Sequence, residues 1–188
     1  MRKSLITAVV AASLFTLAAC SNDDDTDTAA SHNEADVTFA QEMIPHHQQA
    51  IEMADLAESR AESQEVKDLA TDIEAAQGPE IETLTGWLES WGEDVPDEGM
   101  SGMDHGDMSS DDMGGMMTAD EMADLDAASG AEFDQMFLTM MIEHHEGAIE
   151  MAKTEQSEGE FPEALDMAKE IETTQAEEIQ TMQNLLKS

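Results

Sequence analysis

Apolar residues along the chain recur at helical steps of three, four and seven: Phe39, Met43, Ala50, Met53, Ala54 and Ala57 mark one face of a first segment, as an amphipathic helix requires. Val66, Leu69, Ile73, Ile81, Leu84 and Leu88 carry the rhythm through a second segment. The polar stretch AESRAES between them predicts a turn. No alternating pattern predicts a strand, and β-branched and aromatic residues are sparse.

The pattern then returns. Sliding the chain by 98 residues aligns 37–88 with 135–186 without a gap, and 22 of the 52 pairs are identical, the signature of a duplication. Phe39 meets Phe137, Met43 meets Met141, His46-His47 meets His144-His145, and Ala50–Ala54 meets Ala148–Ala152. Each copy predicts a helix hairpin, the second turning at KTEQSEGEFP, so four long helices are expected at 36–60, 64–91, 130–155 and 161–187. Four such helices predict an all-α four-helix bundle over 36–187, with hairpins at 36–91 and 118–187.

Residues 118–130 open with Thr118 three positions before Glu121, which resembles a capping box, and end at Ser129-Gly130. A short extra helix is expected there, after a long Gly, Asp, Ser and Met-rich crossover at 92–117. Pro45 and Pro79 replace Glu143 and Glu177 of the second copy. A proline lacks the amide donor of a helix interior, so Pro45 predicts either a helix start or, since Phe39 and Met43 keep the phase upstream, a kink that frees the Gln41 carbonyl.

The N-terminus changes the picture of where the bundle works. Arg2 and Lys3, an apolar run from Leu5 to Leu17, and small residues before Cys20 form a secretory leader over 1–20, too short to span a membrane. The stretch LAAC resembles a bacterial lipobox, in which cleavage leaves a lipidated Cys20. Residues 21–35 predict a disordered acidic tether, with His32 a bystander in it. The expected product is exported and lipid-anchored to a bacterial membrane on its periplasmic or extracellular side.

Without residues 1–19 the chain keeps 44 acids against five bases, a formal charge of −39. Nucleic acid is excluded as a partner, and membrane contact is expected only through the lipid, because both surfaces call for a basic patch. Such acidity fits either a strongly solvated surface or a field that concentrates cations.

On the helical face that turns inward, Met43, His46, His47 and Met53 fall within an arc about 120° wide, and Met141, His144, His145 and Met151 repeat it. Buried imidazoles need a partner at each nitrogen, since an unsatisfied buried polar group costs roughly 1–3 kcal/mol. A metal ion satisfies several rings at once. Di-iron bundles place Glu three residues before each ligand His, whereas here Met43 and Met141 stand at that spacing. Thioether with imidazole favours copper, Cu(I) above all; zinc is the weaker choice, kept open by Glu143 and Glu146.

The crossover adds soft donors of its own: Met100, Met103, His105, Met108, Met113, Met116 and Met117 lie among Gly, Ser and Asp with no core pattern. Exposed methionine is prone to oxidation, so a secondary, metal-catching arm is the expected use. Ordering the loop makes it weaker than a preformed site.

The phrases MIPHHQQAIEMA and SGAEFDQMFLTMMIEHHEGAIEMA closely resemble the signature of domain-of-unknown-function family three hundred and five. The resemblance spans residues 36–187 and implies a ferritin-like bundle in a secreted or lipid-anchored bacterial protein. Some relatives bind copper outside the cytoplasm and are linked to copper resistance, which implies Met43, His46, His47, Met53, Met141, His144, His145 and Met151 as ligands. The expectation is a non-enzymatic protein that sequesters or delivers copper, with a homo-oligomer or a copper-exchange partner left open. The alternatives are a ferritin-like redox metalloenzyme and an acidic structural surface protein.

Overall fold

The computed structural model describes residues 31–96 and 114–188. The leader with Cys20, most of the tether, and Met100, Met103, His105, Met108 and Met113 of the crossover lie outside the described residues. Within them the chain forms helices α1 (Glu34–Arg60), α2 (Gln64–Trp91), α3 (Ala119–Ala127), α4 (Ala131–Glu158) and α5 (Pro162–Leu185). The result is the all-helical bundle that the periodicity predicts. No helix among the described residues is long and apolar enough to cross a membrane.

Local chemistry starts and stops each helix. Asn33 accepts from the Ala35 and Asp36 amides while Asp36 answers with a bond from the Asn33 amide, a capping box. Thr118 and Glu121 form the box expected for α3. Pro162 opens α5 at its first turn, where the missing amide costs nothing. α1 runs through Pro45 rather than starting there, so the Gln41 carbonyl has no proline amide to accept from. His32 is no bystander: it stacks on Trp91 with ring centroids 4.3 Å apart.

α1 packs on α2, α4 on α5, and the hairpins meet through α1 and α4. The apolar core is in two parts. One joins the second half of α1 (Ala50, Met53, Ala57) to the first half of α4 (Phe133, Phe137, Met141), with Ile73 and Met182 from the outer helices. The other joins the first half of α1 (Phe39, Met43, Ile44) to the second half of α4 (Ala148, Ala152), with Leu84, Leu88 and Ile171. α1 and α4 therefore run antiparallel, and the duplicated histidines fall between the two parts. α3 lies over the α1–α4 seam on the first side, burying Leu125.

A pair of duplicated aspartates ties the hairpins together. Asp134 at the start of α4 accepts from the amides of Glu62 (3.0 Å) and Ser63 (2.9 Å) in the first hairpin's turn. Asp36, 98 residues earlier, accepts from Glu160 (3.1 Å) and Phe161 (2.9 Å) in the second. Each hairpin thus caps the other's turn. Hydrogen bonds to a charged acceptor contribute about 1.5–3 kcal/mol each.

The clasps differ in one residue. Glu155 stands beside Asp36, at 1% exposure, where the first copy carries buried Ala57. A Cβ on Gly159 would collide with the Glu155 carboxyl, so that glycine makes the room. Burial first, then a hydrogen bond from the protonated carboxyl to Asp36 and the Asp36 charge, push the Glu155 pKa up to about 8. With the folded pKa above the unfolded value, its stabilising effect is complete below the ordinary carboxylate range and is lost as pH rises towards 8. Between about pH 7 and 8, above the range in which unfolding protonates the buried histidines, the Glu155 contribution should lower thermal stability by up to about 1.4 kcal/mol per pH unit, the slope dying away above 8. Glu155→Gln should flatten that slope in a calorimetric pH series; an unchanged slope would assign it elsewhere.

Candidate metal centre

The polar layer between the two apolar clusters is built from one turn of each long helix. α1 supplies His46 and His47, α4 supplies His144 and His145, all fully buried. α2 and α5 supply Gln77 and Gln175, also buried, and one turn on, Glu80 and Glu178. Every pair is related by the 98-residue repeat. The inner rings of the two copies touch, His46 and His144 having centroids 3.7 Å apart at 46°.

The outer rings are held by carboxylates. His47 Nε2 lies 2.6 Å from Glu80 Oε2, and His145 Nε2 lies 2.6 Å from Glu178 Oε2. A ring that donates Nε2–H to the carboxylate keeps an unprotonated Nδ1 when neutral, so each glutamate selects the tautomer whose free nitrogen stays inside. These glutamates are only about one-fifth exposed. Sequence reasoning did not assign them, although the repeat matches Glu80 with Glu178 and offered the signal.

Six ring nitrogens in the layer have no hydrogen-bond partner: both of His46, both of His144, and Nδ1 of His47 and His145. The Gln77 amide is likewise without partners, as is Oε1 of Gln175. Burial lowers the His46 pKa to about 3, assisted by charge on His47 and His145 and opposed by the nearby Gly114 carbonyl. His144 is held well below the ordinary histidine value, by burial first and then by the other three rings. The inner imidazoles are neutral, the state in which they can bind a metal.

Thioethers flank the layer on both faces. Met53 and Met141 belong to one apolar cluster, Met43 and Met151 to the other; Met151 alone of the four is half-buried and the rest are fully buried. Each face therefore receives one methionine from each copy. Among the described residues no three His, Cys, Asp or Glu side chains converge as a ligand group.

The crossover returns onto this layer. Gln49, one turn beyond His46, grips Met117 through both its amide atoms, donating to the carbonyl at 2.8 Å and accepting from the amide at 2.7 Å. Met117 is buried in the apolar cluster, and Met116 is partly exposed. Gly115, at φ 85°, passes so close that a Cβ would press on the Glu143 and His144 carbonyls. A Cβ on Gly147 would overlap the Gly114 carbonyl oxygen. Only glycines on both surfaces permit this contact.

The family described as "Domain of unknown function (DUF305)" matches residues 36–186. Among solved structures, a DUF305 protein from Streptomyces coelicolor described as secreted is 33% identical with a TM-score of 0.71, covering 81% of this chain and 91% of that one. A DUF305 fragment from Deinococcus radiodurans is 29% identical, TM-score 0.71, covering 82% and 96%. CopM in its Cu(I)-bound form is 31% identical, TM-score 0.65, covering 81% and 95%, and CopM has also been solved with Cu(II) and with silver. No curated protein sequence matches the chain.

If the carboxylates select the tautomer, long-range proton–nitrogen NMR at pH 8 should find Nε2–H and a bare Nδ1 on His47 and His145. Glu80→Gln and Glu178→Gln should each weaken metal binding about 10-fold or more with helical content unchanged. Equal affinity in both variants would remove the glutamates from the site.

Proposed function

This chain belongs to the DUF305 family, and from that premise we propose that it is an exported copper-binding protein that sequesters or delivers copper outside the cytoplasm. The observation that carries the reading is the layer of four buried histidines with six unpartnered nitrogens, with two methionines of the repeated phrases in the apolar cluster on either side. Imidazole and thioether together suit Cu(I) above harder ions. CopM, solved with Cu(I), Cu(II) and Ag, and the Streptomyces protein described as secreted support it at about one-third identity. The leader and its LAAC stretch support export and a lipid anchor on Cys20.

In this reading the protein holds copper as cargo. His47 and His145 would bind through Nδ1, with Glu80 and Glu178 fixing their rings. His46 and His144 face each other at the centre, neutral, and so give up no proton on binding. Met43, Met53, Met141 and Met151 would complete the donor set from above and below. Met100, Met103, His105, Met108, Met113, Met116 and Met117 would form a weaker catching arm ahead of it. Copper supplies soft Lewis acidity that joins nitrogens the fold cannot otherwise satisfy; the chain supplies position, burial and neutral ligands.

Competition for Cu(I) against a chromogenic chelator tests this, and binding no tighter than micromolar would overturn it. Replacing His46, His47, His144 and His145 by Ala should lower affinity by more than 100-fold, whereas replacing the six crossover methionines by Leu should lower it by less than 10-fold. The opposite ranking would move the main site to the arm. Oxygen consumption beyond stoichiometry on adding Cu(I) or Fe(II) would place the protein among redox enzymes instead.

A further inference from the structure

Duplication places two equivalent grooves along the α1–α4 seam, one on each side of the histidine layer, and the chain treats them differently. The groove between the second half of α1 and the first half of α4 lies under α3 and Met117, which pack against its apolar floor. Its twin, between the first half of α1 and the second half of α4, stays open with a volume of about 480 Å³. Residues equivalent under the repeat have diverged to match: Met140 is Glu42 in the open groove, Leu56 is Thr154, and Ala57 is Glu155.

The open groove is acidic along its length. Glu34, Glu42, Glu150, Glu155 and Glu158 line it, and exposed Lys153 engages Glu150 at 2.9 Å. Acidity by itself marks only solvation. Glu155 adds something independent: it lines the groove, is 1% exposed, and its carboxyl is held against the buried Asp36 carboxylate, the two sharing a proton. Two buried carboxyls against each other need a positive charge between them, and a cation could stand in for that proton.

Both walls lead to the histidines. On α4, Glu158, Glu155, Met151 and Gly147 follow one another at helical steps towards His144; on α1, Glu34, Thr38 and Glu42 do so towards His46. Gly114 closes the inner end, beside the His46 ring. Met151 lines this groove, while its repeat partner Met53 is sealed in the core.

We propose that the open groove is the loading path by which a soft cation reaches the histidine layer, drawn in by its glutamates, held in passing at Glu155 and handed to the Met151 thioether. This deepens the copper-binding reading and rests on it. Beyond coordination only a proton moves: the one that Glu155 carries at neutral pH leaves to groove water as the cation takes its place, and returns when the cation moves on. The covered side also opens, between α3 and α4, onto Glu121, Asp124, Glu132 and Glu143, but it carries Met136 and Met140 where the open groove has Thr38 and Glu42, and no carboxylate at the Ala57 position that Glu155 takes in the open one.

Stopped-flow transfer of Cu(I) from a weak chromogenic chelator to the protein separates path from site, because the path governs rate and the site governs affinity. The double variant Glu42→Gln/Glu155→Gln should slow uptake about 10-fold and flatten its salt dependence, with equilibrium affinity within about 2-fold because release slows in parallel. Thr38→Met/Thr154→Leu, which writes the covered groove's residues into the open one, should slow uptake by a similar factor without changing charge. Neutralising Glu163, Asp166 and Glu170 on the α5 face should leave the rate alone. Uptake unchanged in both groove variants, or slowed equally by the α5 variant, would overturn the path while leaving the copper site standing. A wild-type protein that takes up no Cu(I) would overturn both.

Discussion

Four imidazoles buried between two apolar clusters are the constraint around which the rest of the molecule is arranged. A histidine in water keeps both nitrogens bonded; in this layer six of the eight have nothing to bond to. At roughly 1–3 kcal/mol per orphaned group, the cost is comparable to the whole stability of an ordinary domain. Something must offset it in the folded chain. The two short contacts to Glu80 and Glu178 satisfy the outer rings in part, and the Asp36 and Asp134 clasps hold the hairpins in register from outside the layer. The inner pair, His46 and His144, meets no carboxylate, only the backbone of Gly114 and of His46.

Pseudo-symmetry explains why the layer is balanced and its departures explain why it is not closed. The Met-His-His phrase, its supporting glutamate, the buried glutamine and the clasp aspartate all recur at the same spacing of 98. One segment cannot obey that symmetry: a single crossover joins the hairpins, so α3 can cover only one of two equivalent grooves. The covered groove became apolar and the bare one became polar, as burial and exposure demand. Glu155 goes further than exposure demands, because it is acidic and yet buried.

Much of this architecture was legible in the chain. The repeat and the 3.6-residue rhythm placed the long helices to within a few residues, and the inward arc identified the eight flanking and central side chains. What escaped depended on distances between helices. Glu80 lies 33 residues from His47, and nothing along one helix says which turn of its neighbour it meets. The same holds for Asp36, whose partners are more than 120 residues away. At Pro45 the phase kept by Phe39 and Met43 was the better guide than propensity, and α1 runs through the proline. His32 sits in a polar stretch, so its stacking on Trp91 had no local signature.

The substitution of methionine for glutamate beside the histidines has a consequence beyond ligand softness. A carboxylate at Met43 or Met141 would place charge against an apolar cluster and need its own partners, as Glu80 and Glu178 find in the outer rings at the one-fifth-exposed rim. A thioether asks for none: it packs as core without a partner, and under the proposed function it would bind the ion through sulfur. The same side chains would then support the fold in both states. The imidazoles do not share that indifference, since their free nitrogens are a cost that an occupant would remove. Cargo that satisfied them would stabilise the bundle by mass action, so affinity for the ion and stability of the fold would be set by one layer of side chains.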